Sequence, residues 1–253
     1  MELYFLQIFA VEHCNNNCRY CSTLSPYQSK KEYSAENYIY WINMLEGAGV
    51  FARDINVIGG EPFLHSDIAK FVFQLRSQIK VKRLLSLTTN GFWVSASAIS
   101  QYSDLFDCLD VLNISVYPKI VEKLGGMSRL YDFADLIRCR YPLLRVNLYH
   151  AFRFHPWKYC SKPVFGPESC WWKDCTMLNI DGTVARCGVA RNAMVHPRVS
   201  SEFVLNRHEM FFDLNSNIGD FEHWYLKFPY ASCFYCSNRN FNSDIGWERM
   251  PSK

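Results

Sequence analysis

The sequence predicts an α/β protein: an incomplete (β/α) barrel of about five to six units, followed by a small cysteine-rich region with a β-hairpin and a short helix. Three observations predict this. Strand-like apolar runs alternate with helix-period segments through residue 155, which means parallel strands joined by right-handed crossovers. A closed eight-unit barrel spends roughly 31 residues per unit, so this stretch holds about five units. From residue 156 helical periodicity fades and Cys, Trp, Pro and Gly accumulate. The expected domains are therefore 1–155, the partial barrel, and 156–253, the cysteine-rich region.

The elements are justified in order. Residues 3–11, rich in Phe, Ile, Leu and Val, read as the first strand. Ser34 can cap a helix at about 35–47 whose apolar face is Tyr38, Trp41, Ile42 and Leu45, spaced i, i+3, i+4, i+7. "INVIGG" (55–60) is a short buried strand. Ser66 then caps a helix with Ile68, Phe71, Val72, Leu75 and Ile79 on one face. "LLSLTTNG" (84–91) is the third strand, and a weaker helix fills about 95–107. "VLNISVYP" (111–118) is the fourth strand, closed by Pro118. Ser128 opens a helix with Leu130, Phe133, Ala134 and Ile137 inward, and "LRVNLYHAF" (144–152) is the fifth strand. No internal repeat or low-complexity segment interrupts them.

Composition narrows the function classes. Of 253 residues 49% are hydrophobic, enough for a sizeable core and too many for a disordered chain. The net charge of +3 is too weak a bias to argue for nucleic acid. Eleven cysteines are many, yet "MELYFLQIFAVEHC" has no basic segment ahead of its apolar run, which polar residues interrupt, so no signal peptide is expected. No run of eighteen apolar residues is present, so no membrane span is expected. Cysteines in a reducing cytoplasm point to metal, catalysis or plain burial.

In parallel α/β proteins function gathers where strands end, and these strands end in unusual chemistry. The first runs into "HCNNNCRYC", with Cys14, Cys18 and Cys21 separated by three and then two residues. The second runs into Gly59-Gly60-Glu61-Pro62, and the third into Thr88-Thr89-Asn90-Gly91. The fourth carries Ser115; the fifth carries Asn147, His150 and Arg153. Thiolates suit zinc or iron–sulfur clusters. A zinc site needs a fourth ligand, and His13, adjacent to Cys14, is poorly placed for the same tetrahedron. An inert group of buried thiols is the third reading. The remaining one is a cubane held by three thiolates, with one iron open to a further ligand.

The spacing C-x3-C-x-aromatic-C, with Tyr20 as the aromatic, resembles the signature of radical S-adenosylmethionine (SAM) enzymes, and "GGEP" after the next strand agrees with it in order and position. The resemblance covers roughly residues 3–155. It implies that Cys14, Cys18 and Cys21 hold a 4Fe–4S cluster whose open iron is chelated by SAM. One electron from the cluster then cleaves the sulfonium, and the 5′-deoxyadenosyl radical released abstracts a hydrogen atom. It also implies cofactor-binding roles for Tyr20 near the adenine, for Gly59, Gly60 and Glu61 at the methionyl amino group, and for Asn90 and Ser115 at the ribose or carboxylate. The bland readings are a turn for "GGEP", strand-end capping for Asn90 and Ser115 and core packing for Tyr20.

The second cysteine group is Cys160, Cys170, Cys175, Cys187, Cys233 and Cys236. Asp181-Gly182 is a tight-turn signal between "TMLNI" and "TVAR", and folding about it brings Cys175 beside Cys187. A late C-x2-C pair supplies two more thiolates, completing a closed zinc or iron–sulfur site. C-x11-G-x4-C from Cys170 through Gly182 to Cys187, plus that pair, is similar to the shortened SPASM, or twitch, domain. That resemblance implies a second, auxiliary 4Fe–4S cluster held by Cys187, Cys233, Cys236 and either Cys170 or Cys175. Cys108 and Cys139 read as small buried hydrophobes.

Twitch relatives include 2-deoxy-scyllo-inosamine dehydrogenase-type enzymes and the cyclising enzyme of molybdenum cofactor synthesis. The resemblance therefore implies an oxidoreductase acting on a small carbohydrate- or cyclitol-like substrate, by dehydrogenation or epimerisation, with a one-electron reductant such as flavodoxin or ferredoxin. His150 and Arg153 are candidate bases, and Cys160 a candidate hydrogen-atom donor. Modification of a ribosomally made peptide is the alternative; with the first strand starting at residue 3, no peptide-recognition domain is expected ahead of it, and a separate recognition protein would have to serve. A non-catalytic metal-binding or electron-transfer module is the third reading, and it predicts no SAM pocket.

Overall fold

The computed structural model describes residues 1–19, 21–80, 83–95, 97–150, 153–154, 174–193, 195, 207–227, 233 and 245–246. Five parallel strands, β1 (Glu2–Val11), β2 (Phe51–Gly59), β3 (Leu84–Thr89), β4 (Val111–Val116) and β5 (Arg145–His150), lie side by side in that order. They are spaced by α1 (Ala35–Gly47), α2 (Ile68–Gln78), α3 (Ala98–Gln101), α4 (Ser103–Cys108), α5 (Pro118–Leu124) and α6 (Met127–Arg140). β6 (Arg153–Phe154) pairs with β10 (Ile245–Gly246) in a separate two-stranded ribbon. The predicted α/β partial barrel is thus present, with its eight-stranded main sheet open at both ends.

The core lies between the strands and their helices. Leu6, Ile8, Val57, Leu87, Leu112 and Ile114 meet Tyr38, Ile42, Phe71, Leu75, Leu130 and Ile137 with almost no exposure. The helix stripes named from sequence spacing are the buried ones, as a one-sided 3.6-residue period requires.

Several local expectations differ from the structure for identifiable reasons. The cap of α2 is Asp67, whose carboxylate accepts from the Lys70 N–H at 3.0 Å; Ser66 instead donates its N–H to Glu32 Oε2. The helix expected over 95–107 is two short ones, because Tyr102 leaves helical geometry and lays its ring against Phe63, centroids 4.7 Å apart. Pro118 opens a helix rather than closing a strand: it sits in the first turn of α5, where its missing N–H costs nothing. Gly125, at φ +79°, then ends α5 in the left-handed region. Cys139 is exposed on the solvent side of α6, opposite the Leu130–Ile137 stripe, not buried as expected.

Beyond the five units the chain returns to the sheet. β7 (Cys175–Leu178) pairs parallel with β1, Phe5 opposite Cys175 and Ile8 opposite Leu178. It turns through Asp181-Gly182 into β8 (Thr183–Ala185), antiparallel, with Met177 opposite Ala185. α7 (Gly188–Ala193) and α8 (Arg207–Met210) precede β9 (Phe211–Asp213), the far edge, and α9 (Phe221–Leu226) comes after it. The predicted hairpin is therefore a continuation of the barrel sheet across the sequence boundary at 155/156. The Phe228-Pro229 stop expected after the last helix lies outside the described residues.

Trp41 of α1 supports the hairpin turn: its Nε1 donates to the Ile180 carbonyl at 3.2 Å. Gly182 has φ +83°, and a Cβ there would stand 2.5 Å from the Trp41 ring. Gly182→Ala is expected to cost about 1–3 kcal/mol through strain and overpacking, read as a melting temperature lower by roughly 3–10 °C. Adding Trp41→Ala should return the overpacking part and leave the backbone part.

Among the described residues no helix is long and apolar enough to cross a membrane.

Candidate active site

β1 leads into the site through an irregularity. Phe9 pairs with Ile58 but Val11 pairs with Gly59, so one strand carries an extra residue, and a bulge of this kind re-aims a chain at a functional edge. The next segment is closed at its base: Glu12 N–H bonds to Lys31 O, Tyr33 N–H to Ala10 O, and Val11 bridges Glu32. Within the loop, Asn17 (φ +47°) and Leu24 (φ +52°) are left-handed. Asn tolerates that conformation, whereas Leu is strained by it.

Cys14, Cys18 and Cys21 from this loop line one cavity of about 270 Å³. Gly59, Gly60, Asn90 and Ser115 line it too, so the ends of β2, β3 and β4 converge on the cysteine loop. Tyr20, Arg153's side chain, Cys160, Cys170 and Cys236 lie outside the described residues. Cys175 opens β7 and Cys187 comes two residues after β8, where its Sγ accepts the Ala190 N–H at 3.4 Å. Cys233 is half-buried.

The two glycines answer first to protein backbone. Gly60 N–H bonds to Val11 O at 2.9 Å and Glu61 N–H to His13 O at 3.0 Å. A Cβ on Gly59 would stand 2.2 Å from Val11 O, and one on Gly60 1.9 Å from His13 O. The expected close approach is thus to the mouth of the cysteine loop as well as to the cavity.

Glu61 is placed differently from the expectation. It is 1% exposed, and its carboxylate is taken up by the fold. Oε1 accepts from Thr89 Oγ1 (2.6 Å) and Phe63 N–H (3.1 Å), and Oε2 from Asn90 N–H (2.7 Å). It therefore ties the end of β2 to the end of β3, and it does not line the cavity. Phe63 stacks on Trp93 at 4.1 Å, and Trp93 Nε1 donates to Thr89 Oγ1. Desolvation pushes the Glu61 carboxyl up to about 7 against the three donors that favour its charge.

Asn90 reaches from β3 to the loop: Nδ2 donates to Asn15 Oδ1 at 2.8 Å and lies 3.5 Å from Cys14 Sγ. Its Oδ1 accepts the Phe92 N–H. His150 is exposed at the end of the edge strand. Its register partner is Val116, whereas Asn147 and Tyr149 pair with Asn113 and Ser115. Strand alternation therefore puts His150 on the pleat face opposite Ser115, away from the cavity.

Sequence reasoning missed a polar row on the inner face. Asn147 Nδ2 donates to Asn113 Oδ1 (3.0 Å), Asn113 Nδ2 to Thr88 Oγ1 (3.3 Å), and Thr88 Oγ1 to Asn56 Oδ1 (3.1 Å). Gln7 stands opposite Asn56. The signal was available as amides at alternate positions of otherwise apolar strands. Also missed were Asn16, Asn17, Tyr117 and Asn192 on the cavity wall.

The residues present fit an iron–sulfur cluster at the three cysteines. Two N–H donors, from Asn16 backbone (3.4 Å) and Asn90 (3.5 Å), point at Cys14 Sγ, as they would at an anionic sulfur. Desolvation meanwhile pushes the Cys14 thiol up to about 12, a conflict that a bound iron would resolve. The side chain of Asn16 is buried, with neither its Oδ1 nor its Nδ2 hydrogen-bonded. Among the described residues no three of His, Cys, Asp and Glu converge on a single metal ion. A cubane makes no such demand, since each thiolate takes its own iron.

Residues 8–117, which carry the three loop thiols and the ends of β1 to β4, match the family model of the Radical SAM superfamily. The chain is similar to the crystal structure of BtrN in complex with AdoMet and 2-DOIA, at a TM-score of 0.53 and 13% identity over 89% of this chain and 82% of that one, a likeness of fold. It is 25% identical over 137 residues to GTP 3',8-cyclase of Sulfurimonas denitrificans, covering 52% of this chain and 41% of that protein. It is 35% identical over 91 residues to GTP 3',8-cyclase of Campylobacter curvus, covering 35% and 27%. The chain thus spans less than half the length of these two cyclases.

Proposed function

We propose that the chain is a radical SAM enzyme that takes a hydrogen atom from a small, neutral, hydroxyl- or amide-bearing molecule, of the carbohydrate or cyclitol kind, in a dehydrogenation or epimerisation. The observation that carries this reading is the shared cavity of Cys14, Cys18 and Cys21 with the ends of β2, β3 and β4. When bound, the cluster and SAM together supply a 5′-deoxyadenosyl radical able to abstract hydrogen from carbon. The chain's own residues do the rest. Cys14, Cys18 and Cys21 hold the cluster; Gly59 and Gly60 let the end of β2 close against the cysteine loop and line the cavity; Asn90 and Ser115 offer hydrogen bonds to SAM. Glu61 acts through Thr89 and Asn90, whose positions it fixes.

The wall chemistry supports the substrate class. Among the described residues lining the cavity none is Asp, Glu, Lys, Arg or His, while Gln7, Asn56 and Thr88 present amides and a hydroxyl. Such a surface offers donors and acceptors that match hydroxyls. Cys187 and Cys233, with Cys236 and either Cys170 or Cys175, are the proposed ligands of an auxiliary cluster that accepts the substrate's electron.

The test is anaerobic reconstitution, counting of iron and sulfide, then reductant with SAM. About eight irons per chain, with release of 5′-deoxyadenosine, is the expected result. About four irons plus zinc would remove the auxiliary electron acceptor. Absence of SAM cleavage would remove the enzyme, leaving a metal-binding module. Radical transfer to a peptide, or to GTP but to no sugar or cyclitol, would replace the substrate class.

A further inference from the structure

The segment carrying Cys187 and the loop carrying the first three cysteines are joined by a buried polar chain that the cluster ligands do not need for themselves. It starts at Glu12, 4% exposed, just before the cysteine loop. Glu12 Oε1 accepts from Tyr33 Oη at 2.8 Å and pairs with Arg191 Nη2 of α7 at 2.5 Å. The guanidinium lies 3.5 Å above the Phe9 ring, its Nε donates to Asn179 Oδ1 at 2.8 Å, and its Nη1 donates to Asn192 Oδ1 at 3.0 Å. Asn192, 1% exposed, then donates Nδ2 to the Ser22 carbonyl at 2.9 Å. Its orientation is dictated chemically: arginine can only donate and a carbonyl can only accept, so no flip of the amide serves both.

Ser22 directly follows Cys21, and both it and Asn192 line the cavity. We infer that Asn192, seated by Arg191, is a positioning residue: its amide holds the carbonyl beside Cys21 and thereby couples the segment bearing Cys187 to the geometry of the SAM-binding loop. The inference rests on the proposed reading of that loop as a cluster site. Five hydrogen bonds, with Arg191 Nη1 to Glu12 Oε2 at 3.5 Å as the fifth, converge on one guanidinium and one amide in a nearly dry place, where a broken link leaves a donor or acceptor unpaired. A device of that cost is excessive for anchoring a six-residue helix to a sheet it already joins through β7. It is economical if the loop must keep one shape while iron and SAM come and go.

The experiment uses the full chain, anaerobically reconstituted, and reads iron content, SAM affinity and the electron paramagnetic resonance spectrum of the reduced cluster with and without SAM. Asn192→Asp keeps the acceptor for Arg191 and sets an oxygen against the Ser22 carbonyl. Arg191→Lys keeps a cation beside Glu12 and gives up the fork that seats Asn192. Expected for Asn192→Asp is a cooperatively folded protein of lowered melting temperature, with SAM affinity reduced about tenfold, the equivalent of one lost buried hydrogen bond. The SAM-induced spectral change should become heterogeneous, or iron should be lost from a protein that still unfolds in one cooperative transition. Arg191→Lys should fall between it and the native protein; should Asn192→Asp not fold, this variant alone decides. Native SAM affinity and a native spectrum in the folded variants would overturn the coupling. A native protein that itself holds no iron, or shows no spectral response to SAM, would instead overturn the cluster reading.

Discussion

Gly60→Ala is expected to abolish cluster loading while leaving the sheet and its helices folded. The added Cβ would stand 1.9 Å from His13 O and 2.8 Å from Glu12 O, both backbone atoms with no rotamer to change. Relief requires pulling the β2 end away from the cysteine loop, which breaks the Gly60 N–H to Val11 O and Glu61 N–H to His13 O bonds. Overpacking against backbone with two lost hydrogen bonds costs on the order of 3–5 kcal/mol, or roughly 10 °C in melting temperature for a chain of this length. Iron bound after reconstitution should fall by about half, from about eight to about four per chain, the auxiliary cluster remaining loaded. Full iron content with native melting would show that this contact is not needed. Gly47, with open space around its Cβ position, is the control.

Glu61→Gln is the second large effect. The amide keeps one acceptor and turns the other into a donor. Whichever way it faces, N–H meets N–H at Asn90 or Phe63, or Thr89 loses its acceptor. A buried mismatch of this kind costs about 1–3 kcal/mol. The loss should propagate to Asn90 and its bonds to Asn15 and Cys14, so the variant should load less iron. The acid–base behaviour separates Glu61 from its neighbours. Its carboxyl is raised from an ordinary 4.5 to about 7, so the folded protein holds the proton more tightly than the unfolded chain. Stability from this group is complete below about 4.5 and is lost as pH rises towards 7. The glutamine has no such slope, so its deficit should narrow across that window. Melting curves at pH steps between 5 and 7 check this, and a constant deficit would contradict it.

How much was legible in the sequence turns on the range over which each feature is determined. Strand order and helix faces depend on local hydrophobic period, and Leu6, Ile42, Phe71 and Ile137 lie where spacing put them. The cysteine loop and the strand-end glycines share a cavity because parallel strands deliver their ends to one edge. The features that were not legible depend on register or on partners distant in sequence. His150 was expected to face the barrel mouth, but a one-residue step in a strand reverses the face, and only the pairing with Val116 settles it. Glu61 carries a charge that suits an ammonium group, and nothing local announces that Thr89 and Asn90 already occupy it. Pro118 is compatible with a strand end and with a helix start, and Ile120, which the first turn of α5 buries completely in the core, decides for the helix. Asn192 stands 170 positions from its acceptor.

The pairing of β7 along β1 has a practical consequence. Cutting the chain at the compositional change near residue 155 would not free a tidy half-molecule. It would strip one flank of the innermost strand and bare the backbone groups of Phe5 through Ile8, an adhesive ribbon that invites any other extended peptide to dock. Whoever wishes to isolate the part that carries the first three cysteines should therefore carry the hairpin along with it.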